Sequence, residues 1–184
     1  MAEKSDSRPI VESYWVFPGQ LLAGEYPASS YSPEHARQRI ASFLKEGFDT
    51  FIDLTSPGEV TPYEPILRQE AAEFSVQAHY QRFPIGDYGL PTIKQMQTIL
   101  EHIATARQQG RKIYLHCQGG IGRTGTVVGC ILADQGLSGQ QALEQLAEWW
   151  RSVPKSAFYH NSPETSQQEE FVRNWREARR IIEP

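Results

Sequence analysis

His116-Cys117-Gln118-Gly119-Gly120-Ile121-Gly122-Arg123-Thr124-Gly125 stands between a short apolar run, Ile113-Tyr114-Leu115, and a longer one, Val127-Val128-Gly129-Cys130-Ile131-Leu132. The first run has the length of a buried strand and the second reads as a helix, so the ten residues quoted form a strand-to-helix loop. Four of the ten are glycine, which lets the backbone turn tightly and aim its N–H groups inward. Such a nest beside a helix N-terminus is an anion site that a phosphate fits. The same positive end of the helix, with Arg123 nearby, favours a thiolate at Cys117 and supplies a nucleophile. Arg123 follows Cys117 by six positions, so a wrapped loop brings its planar fork onto two phosphate oxygens. Its charge counts most where negative charge builds up in a transition state.

Working outward, Thr92 with Gln95 resembles a capping box, and Ile93, Met96, Leu100, Ile103 and Arg107 mark one face of a helix ending near Gly110. His79 to Ile85 alternates as a strand and runs into Gly86-Asp87-Tyr88-Gly89-Leu90-Pro91, a dense turn signal that puts Asp87 on a loop. Phe48 to Leu54 is an apolar strand. Thr55 to Pro65, with three prolines and one glycine, is a surface loop leading into a helix through Phe74. Ser32-Pro33 opens an earlier helix to about Lys45, with Gly47 as its stop. Trp15 to Pro27 reads as two short extended pieces around a turn at Pro18-Gly19. Downstream, Ser138 with Gln141 begins a helix through Trp150, and a last helix carries Phe171, Trp175, Ala178 and Ile182. Strands alternating with helices predict an α/β fold: a single layered domain whose central, mostly parallel sheet is flanked by helices.

The His-Cys-x5-Arg-Thr loop, with Asp87 thirty positions before the cysteine, resembles the dual-specificity branch of the cysteine-dependent protein tyrosine phosphatase superfamily. That resemblance implies a phosphatase domain over residues 10–184, behind a flexible tail over 1–9. It makes Cys117 the nucleophile and Arg123 the phosphate clamp, with Gln118, Gly119, Gly120, Ile121 and Gly122 completing the phosphate site. Thr124 would stabilise the cysteine thiolate as leaving group, and His116 would be a supporting group. Pro84-Ile85-Gly86-Asp87, followed by Pro91, resembles the general-acid loop. Ser162-Pro163-Glu164-Thr165-Ser166-Gln167-Gln168 resembles the loop whose glutamine positions the hydrolytic water, which implies Gln168. The expected reaction is hydrolysis of phosphate monoesters on proteins, phosphotyrosine first and phosphoserine or phosphothreonine with it, through a phosphocysteine intermediate and without metal or cofactor. A phosphoinositide or inositol phosphate is the alternative substrate, although Gln118 to Ile121 add no positive charge to the loop.

Plainer readings compete for several of these residues. An Asp beside Gly in a turn often serves local hydrogen bonding alone, in which case Glu59 or Glu64 in the Pro-rich segment is the next acid to consider. Thr165 and Gln168 also have the spacing of a capping box, which explains them without catalysis. Gly120-Ile121-Gly122-Arg123-Thr124-Gly125 formally fits the dinucleotide fingerprint, but no second strand ending in an acid follows, and the cysteine is left unexplained. No Lys-Ser or Lys-Thr follows the glycines, so a P-loop is excluded. An inactive phosphate-binding module would keep the loop but has no need of Cys117, Arg123 and an acid together. Cys130 reads as a small buried hydrophobe, with redox partnership to Cys117 as the other role.

Bulk composition agrees with this reading. The 184 residues are 39% hydrophobic and 22% charged, with a net charge of −4 and a pI near 5.8, so no basic stripe points to nucleic acid or an anionic membrane. Two cysteines are too few for a disulfide framework, and the first residues lack the apolar core of a secretory signal. A monomeric cytoplasmic protein is expected, with a phosphorylated protein as its partner. The histidines, His79 and His160 included, show no metal-ligand spacing.

Overall fold

The computed structural model describes residues 7–28 and 32–182. Residues 1–6 of the expected tail lie outside the described residues, whereas Ser7 hydrogen-bonds Glu46 and the Arg8 guanidinium donates to the Ser13 carbonyl. A hairpin opens the domain: β1, Ser13–Phe17, turns through Pro18-Gly19 and pairs antiparallel with β2, Leu21–Gly24. Helix α1, Pro33–Lys45, starts at Ser32, whose side chain accepts from the His35 N–H. Then come β3, Thr50–Asp53; α2, Glu64–Glu73; β4, His79–Arg82; α3, Ile93–Gln108; and β5, Ile113–His116. Three helices complete the chain: α4, Gly122–Asp134; α5, Gly139–Trp150; and α6, Ser166–Ile182.

The sheet order is β1-β2-β5-β3-β4. All pairings are parallel except that of the hairpin. Side chains alternate faces along each strand, and the sheet uses both. Leu22, Phe51 and Tyr114 point into a core with Ile40, Phe43 and Leu44 of α1 and Leu67 of α2. Leu21, Ala23, Ile52, Ile113 and Leu115 meet residues of α3, α4, α5 and α6 on the other face. β5 is central and wholly buried, as its unbroken apolar run requires. No helix among the described residues is long and apolar enough to cross a membrane.

Sequence and structure agree at one helix start and part company at another. Ser138 and Gln141 form the full reciprocal capping box. At α3, Thr92 caps the Gln95 N–H, but the Gln95 side chain donates to the Pro84 carbonyl at 2.8 Å instead of returning to Thr92. That bond ties α3 to the segment leading into Asp87. The dinucleotide alternative also fails in space, because α4 leads directly to α5 and no strand follows among the described residues.

Candidate active site

The glycine-rich loop leaves the C-terminal end of β5 and enters the first turn of α4. Cys117 is 2% exposed, and the Gly120 N–H donates to its Sγ at 3.3 Å. Gly120 has φ 74°, and a Cβ on it would lie 2.4 Å from the carbonyl carbon of Gly24, so neither conformation nor space admits a side chain. Two loop carbonyls are held by outside donors. The Tyr26 N–H donates to Gln118 O at 3.0 Å, and Lys155 Nζ, from the 3-10 turn Pro154–Ala157, donates to Gly119 O at 3.0 Å. Carbonyls fixed in this way leave the N–H groups to form the nest.

Arg123 is held from three sides. Its Nη1 and Nη2 donate to the two Glu59 carboxylate oxygens at 2.7 and 2.6 Å, a bidentate pair of the strong kind. Nη1 also reaches the Ile85 carbonyl at 3.0 Å, and Nη2 reaches Asp87 Oδ1 at 3.0 Å. Burial alone would push the Glu59 carboxyl up, but hydrogen bonds from Arg123 and the Ser56 N–H outweigh it and hold the group below its ordinary range. For Arg123, burial would lower the pKa, but Glu59, Cys117 and Asp87 outweigh it and hold the guanidinium above its ordinary value. Glu59 is therefore the partner of the arginine, and Glu64 lies away from the site, paired with Arg68.

His116 is fully buried behind the cysteine. Burial lowers its pKa despite the attraction of Asp53, so the ring is neutral at pH 7. Its Nδ1 lies 3.1 Å from the Cys117 carbonyl, which can only accept, so Nδ1 carries the proton. Nε2 then accepts from the Tyr63 hydroxyl at 2.8 Å. This chain orients the ring and leaves no proton to move, which fits a supporting group. Thr124 Oγ1 is buried without a hydrogen-bond partner among the described residues, so the bond to the thiolate implied by the resemblance is not made in this arrangement. Cys130 lies in the interior of α4, and burial pushes its thiol up.

A cavity of about 220 Å³ opens over the loop. Cys117, Gln118, Gly119, Ile121, Gly122 and Arg123 form its floor, and Asp87, Tyr88, Lys155, Tyr159 and Glu164 its wall. Cys117, Arg123 and Asp87, thirty-six positions apart at the extremes of the pair Asp87 and Arg123, thus converge on one space. Tyr88 is more than half exposed and sits at φ 55°, a left-handed conformation that costs a non-glycine residue and is found at functional sites. Gln168 is buried against Gly122. Its Oε1 accepts from the Glu164 and Thr165 N–H groups, Thr165 Oγ1 caps its own N–H, and its Nε2 donates to Gly89 O at 3.2 Å. The capping-box reading of Thr165 and Gln168 thus describes the local bonds, and Gln168 joins α6 to the Asp87 loop.

A cysteine and an arginine six positions apart in one glycine-rich loop, at the C-terminal ends of the parallel strands with a carboxylate loop beside them, are the arrangement of a phosphatase domain of the dual-specificity type within the protein tyrosine phosphatase superfamily. The chain belongs to the family described as the Swiss Army Knife protein, DSP-PTPase phosphatase domain, whose family model matches residues 11–172. It is 30% identical over 138 residues to mouse protein tyrosine phosphatase domain-containing protein 1, a match covering 71% of this chain and 18% of that protein. To rat cyclin-dependent kinase inhibitor 3 it is 34% identical over 103 residues, covering 54% of this chain and 47% of the relative. The chain thus spans less than half the length of these two relatives. The crystal structure of kinase associated phosphatase with its catalytic-site cysteine replaced by serine superposes with a TM-score of 0.70 at 22% identity, covering 87% of each chain. That likeness shows the fold.

Proposed function

We propose that the protein hydrolyses phosphate monoesters on proteins, phosphotyrosine foremost and phosphoserine and phosphothreonine with it, through a phosphocysteine intermediate. The observation that carries this reading is the convergence of Cys117, Arg123 and Asp87 on one cavity whose mouth bears Tyr88 and Tyr159. Cys117 Sγ attacks phosphorus, the ester P–O bond breaks, and Asp87 donates a proton to the departing oxygen. Arg123 already has its fork aligned by Glu59. When a phosphate oxygen takes over Nη2, Asp87 is released from its 3.0 Å contact to face the leaving group. Water then attacks phosphorus, the P–S bond breaks, and its electron pair returns to Cys117 while Asp87 takes a proton from the water.

Charge and shape at the mouth favour an aryl monoester. The cationic side chains lining the cavity are Arg123 and Lys155, and both are already paired, Arg123 with Glu59 and Asp87 and Lys155 with Glu25. Asp87 and Glu164 add negative charge to the wall. A polyphosphorylated inositol would meet repulsion there, whereas the exposed rings of Tyr88 and Tyr159 suit a phenyl ester. Turnover should be compared on phosphotyrosine, phosphoserine and phosphothreonine peptides, phosphoinositide vesicles and soluble inositol phosphates. Highest kcat/KM on phosphotyrosine peptides is expected; highest on an inositol phosphate would overturn the substrate class, and no turnover of any would support an inactive phosphate-binding module.

A further inference from the structure

The segment ahead of α6 presents Glu164 to the catalytic cavity, and Gln168 does not line it. Both ends of the Gln168 amide are occupied by backbone groups, so it has no free acceptor to offer a water molecule without breaking the junction between α6 and the Asp87 loop. Glu164 differs. It enters the hydrogen bonding through its backbone N–H, and among the described residues its carboxylate has no ion-pair partner. It shares the cavity wall with Asp87 and faces the space above Cys117 and Arg123. Burial and the neighbouring Asp87 push its carboxyl up, against the pull of Arg123. Whether protonated or ionised, a carboxyl keeps an oxygen able to accept.

We infer that Glu164 accepts a hydrogen bond from the water that cleaves the phosphocysteine and orients it for attack while Asp87 takes its proton. This rests on the covalent mechanism proposed above. The two hydrogens of the water are then accounted for: one bonds Glu164, the other passes to Asp87, and the oxygen forms the new P–O bond as the P–S bond breaks toward Cys117. Glu164 has no part in the first step, because the ester oxygen then occupies the position opposite sulfur that the water takes only after the leaving group has departed.

The test separates the two steps in the full chain by rapid quench with an activated aryl phosphate. In Glu164→Ala and Glu164→Leu, phosphoenzyme should form within about twofold of the parent rate while its decay slows about tenfold, the factor expected for one lost charge-assisted hydrogen bond. Glu164→Gln, which keeps an acceptor oxygen, should restore most of the decay rate. Decay unchanged in both the Ala and Leu variants, or formation slowed in step with decay, would overturn the assignment. If the parent itself forms no phosphoenzyme that Cys117→Ser abolishes, the covalent mechanism has failed and takes the inference with it. A merely structural role would lower formation and decay together, and thermal unfolding of each variant identifies that case as a refutation.

Discussion

Replacing Glu59 by glutamine keeps the shape of the side chain and removes the charge that fixes Arg123. The pair is bidentate at 2.7 and 2.6 Å, with Arg123 3% and Glu59 15% exposed, so water replaces little of what is lost. Glutamine retains one neutral acceptor, hence one of the two bonds disappears and the other loses its charge assistance. Hydrogen bonds to charged groups contribute about 1.5–3 kcal/mol each, and Arg123 still holds Ile85 O and Asp87, which places the loss near 2 kcal/mol. Felt entirely in the transition state, this is about a thirtyfold fall in kcat/KM. The bonds that Arg123 keeps to Ile85 and Asp87 preserve part of its alignment, so a roughly five- to thirtyfold fall is the working range, divided between KM and kcat according to how much of the contact is already made in the ground state. Glu59→Ala should cost more, because it strips the buried guanidinium of its bidentate partner and leaves both Nη groups short of an acceptor. The assay is steady-state turnover of an aryl phosphate with vanadate inhibition measured in parallel. Values for Glu59→Gln within about twofold of the parent on both would refute the idea that Glu59 organises the phosphate clamp.

Other outcomes follow from the same geometry. Cys117→Ser should abolish turnover while vanadate-like anions still bind, since the nest and Arg123 remain; substantial residual activity would sink the covalent mechanism. Asp87→Asn should slow phosphoenzyme formation strongly for phenyl or alkyl phosphates and weakly for an activated aryl ester, because a poor leaving group depends on protonation; an equal loss across leaving groups would return Asp87 to a turn-forming role. At neutral pH a small alkylating agent should modify Cys117 before Cys130, whose thiol burial pushes up, and peptide mass mapping with Cys130 labelled first would reverse that. Asp53 is fully buried and bonded to Arg82, Tyr80 and Thr55; burial would raise its carboxyl, but His116 and these hydrogen bonds hold it below its ordinary range. Its folded value being depressed, its contribution is complete above the unfolded value and fades as pH falls through the folded one. Asp53→Asn should therefore cost about 3 kcal/mol in urea unfolding at pH 7 and progressively less below about pH 4, and a cost independent of pH would contradict the assignment.

How far the sequence alone reaches is visible element by element. The strand-to-helix loop was legible because its backbone is decided locally: a buried strand, glycines that permit the turn, and a helix start lie within one continuous stretch from Ile113 to Leu132. The helix at Pro33, the hairpin at Pro18-Gly19 and the α5 capping box were legible for the same reason, each being decided by residues a few positions apart. Tertiary structure alone decided what the loop meets. Glu59 lies sixty-four positions from Arg123, in a Pro-rich segment whose sequence says only that it turns, and it becomes the clamp's partner because β3 and β5 are parallel neighbours whose C-terminal ends open on the same side. The Gln95 side chain forsook its cap for Pro84 O, and Gln168 spent its amide on Gly89 and the backbone ahead of α6. Tyr63 and Lys155 carried no sequence signal of a site, since a tyrosine or a lysine outside a motif is ordinary until packing gives it a neighbour, and within Ser162 to Gln168 the sequence pointed to Gln168 and not to Glu164. Short-range spacing determines which backbone a segment forms, whereas the partner of a buried charge is set by how parallel strands and their crossovers bring distant loops to one edge of the sheet, where low water access makes those few contacts strong.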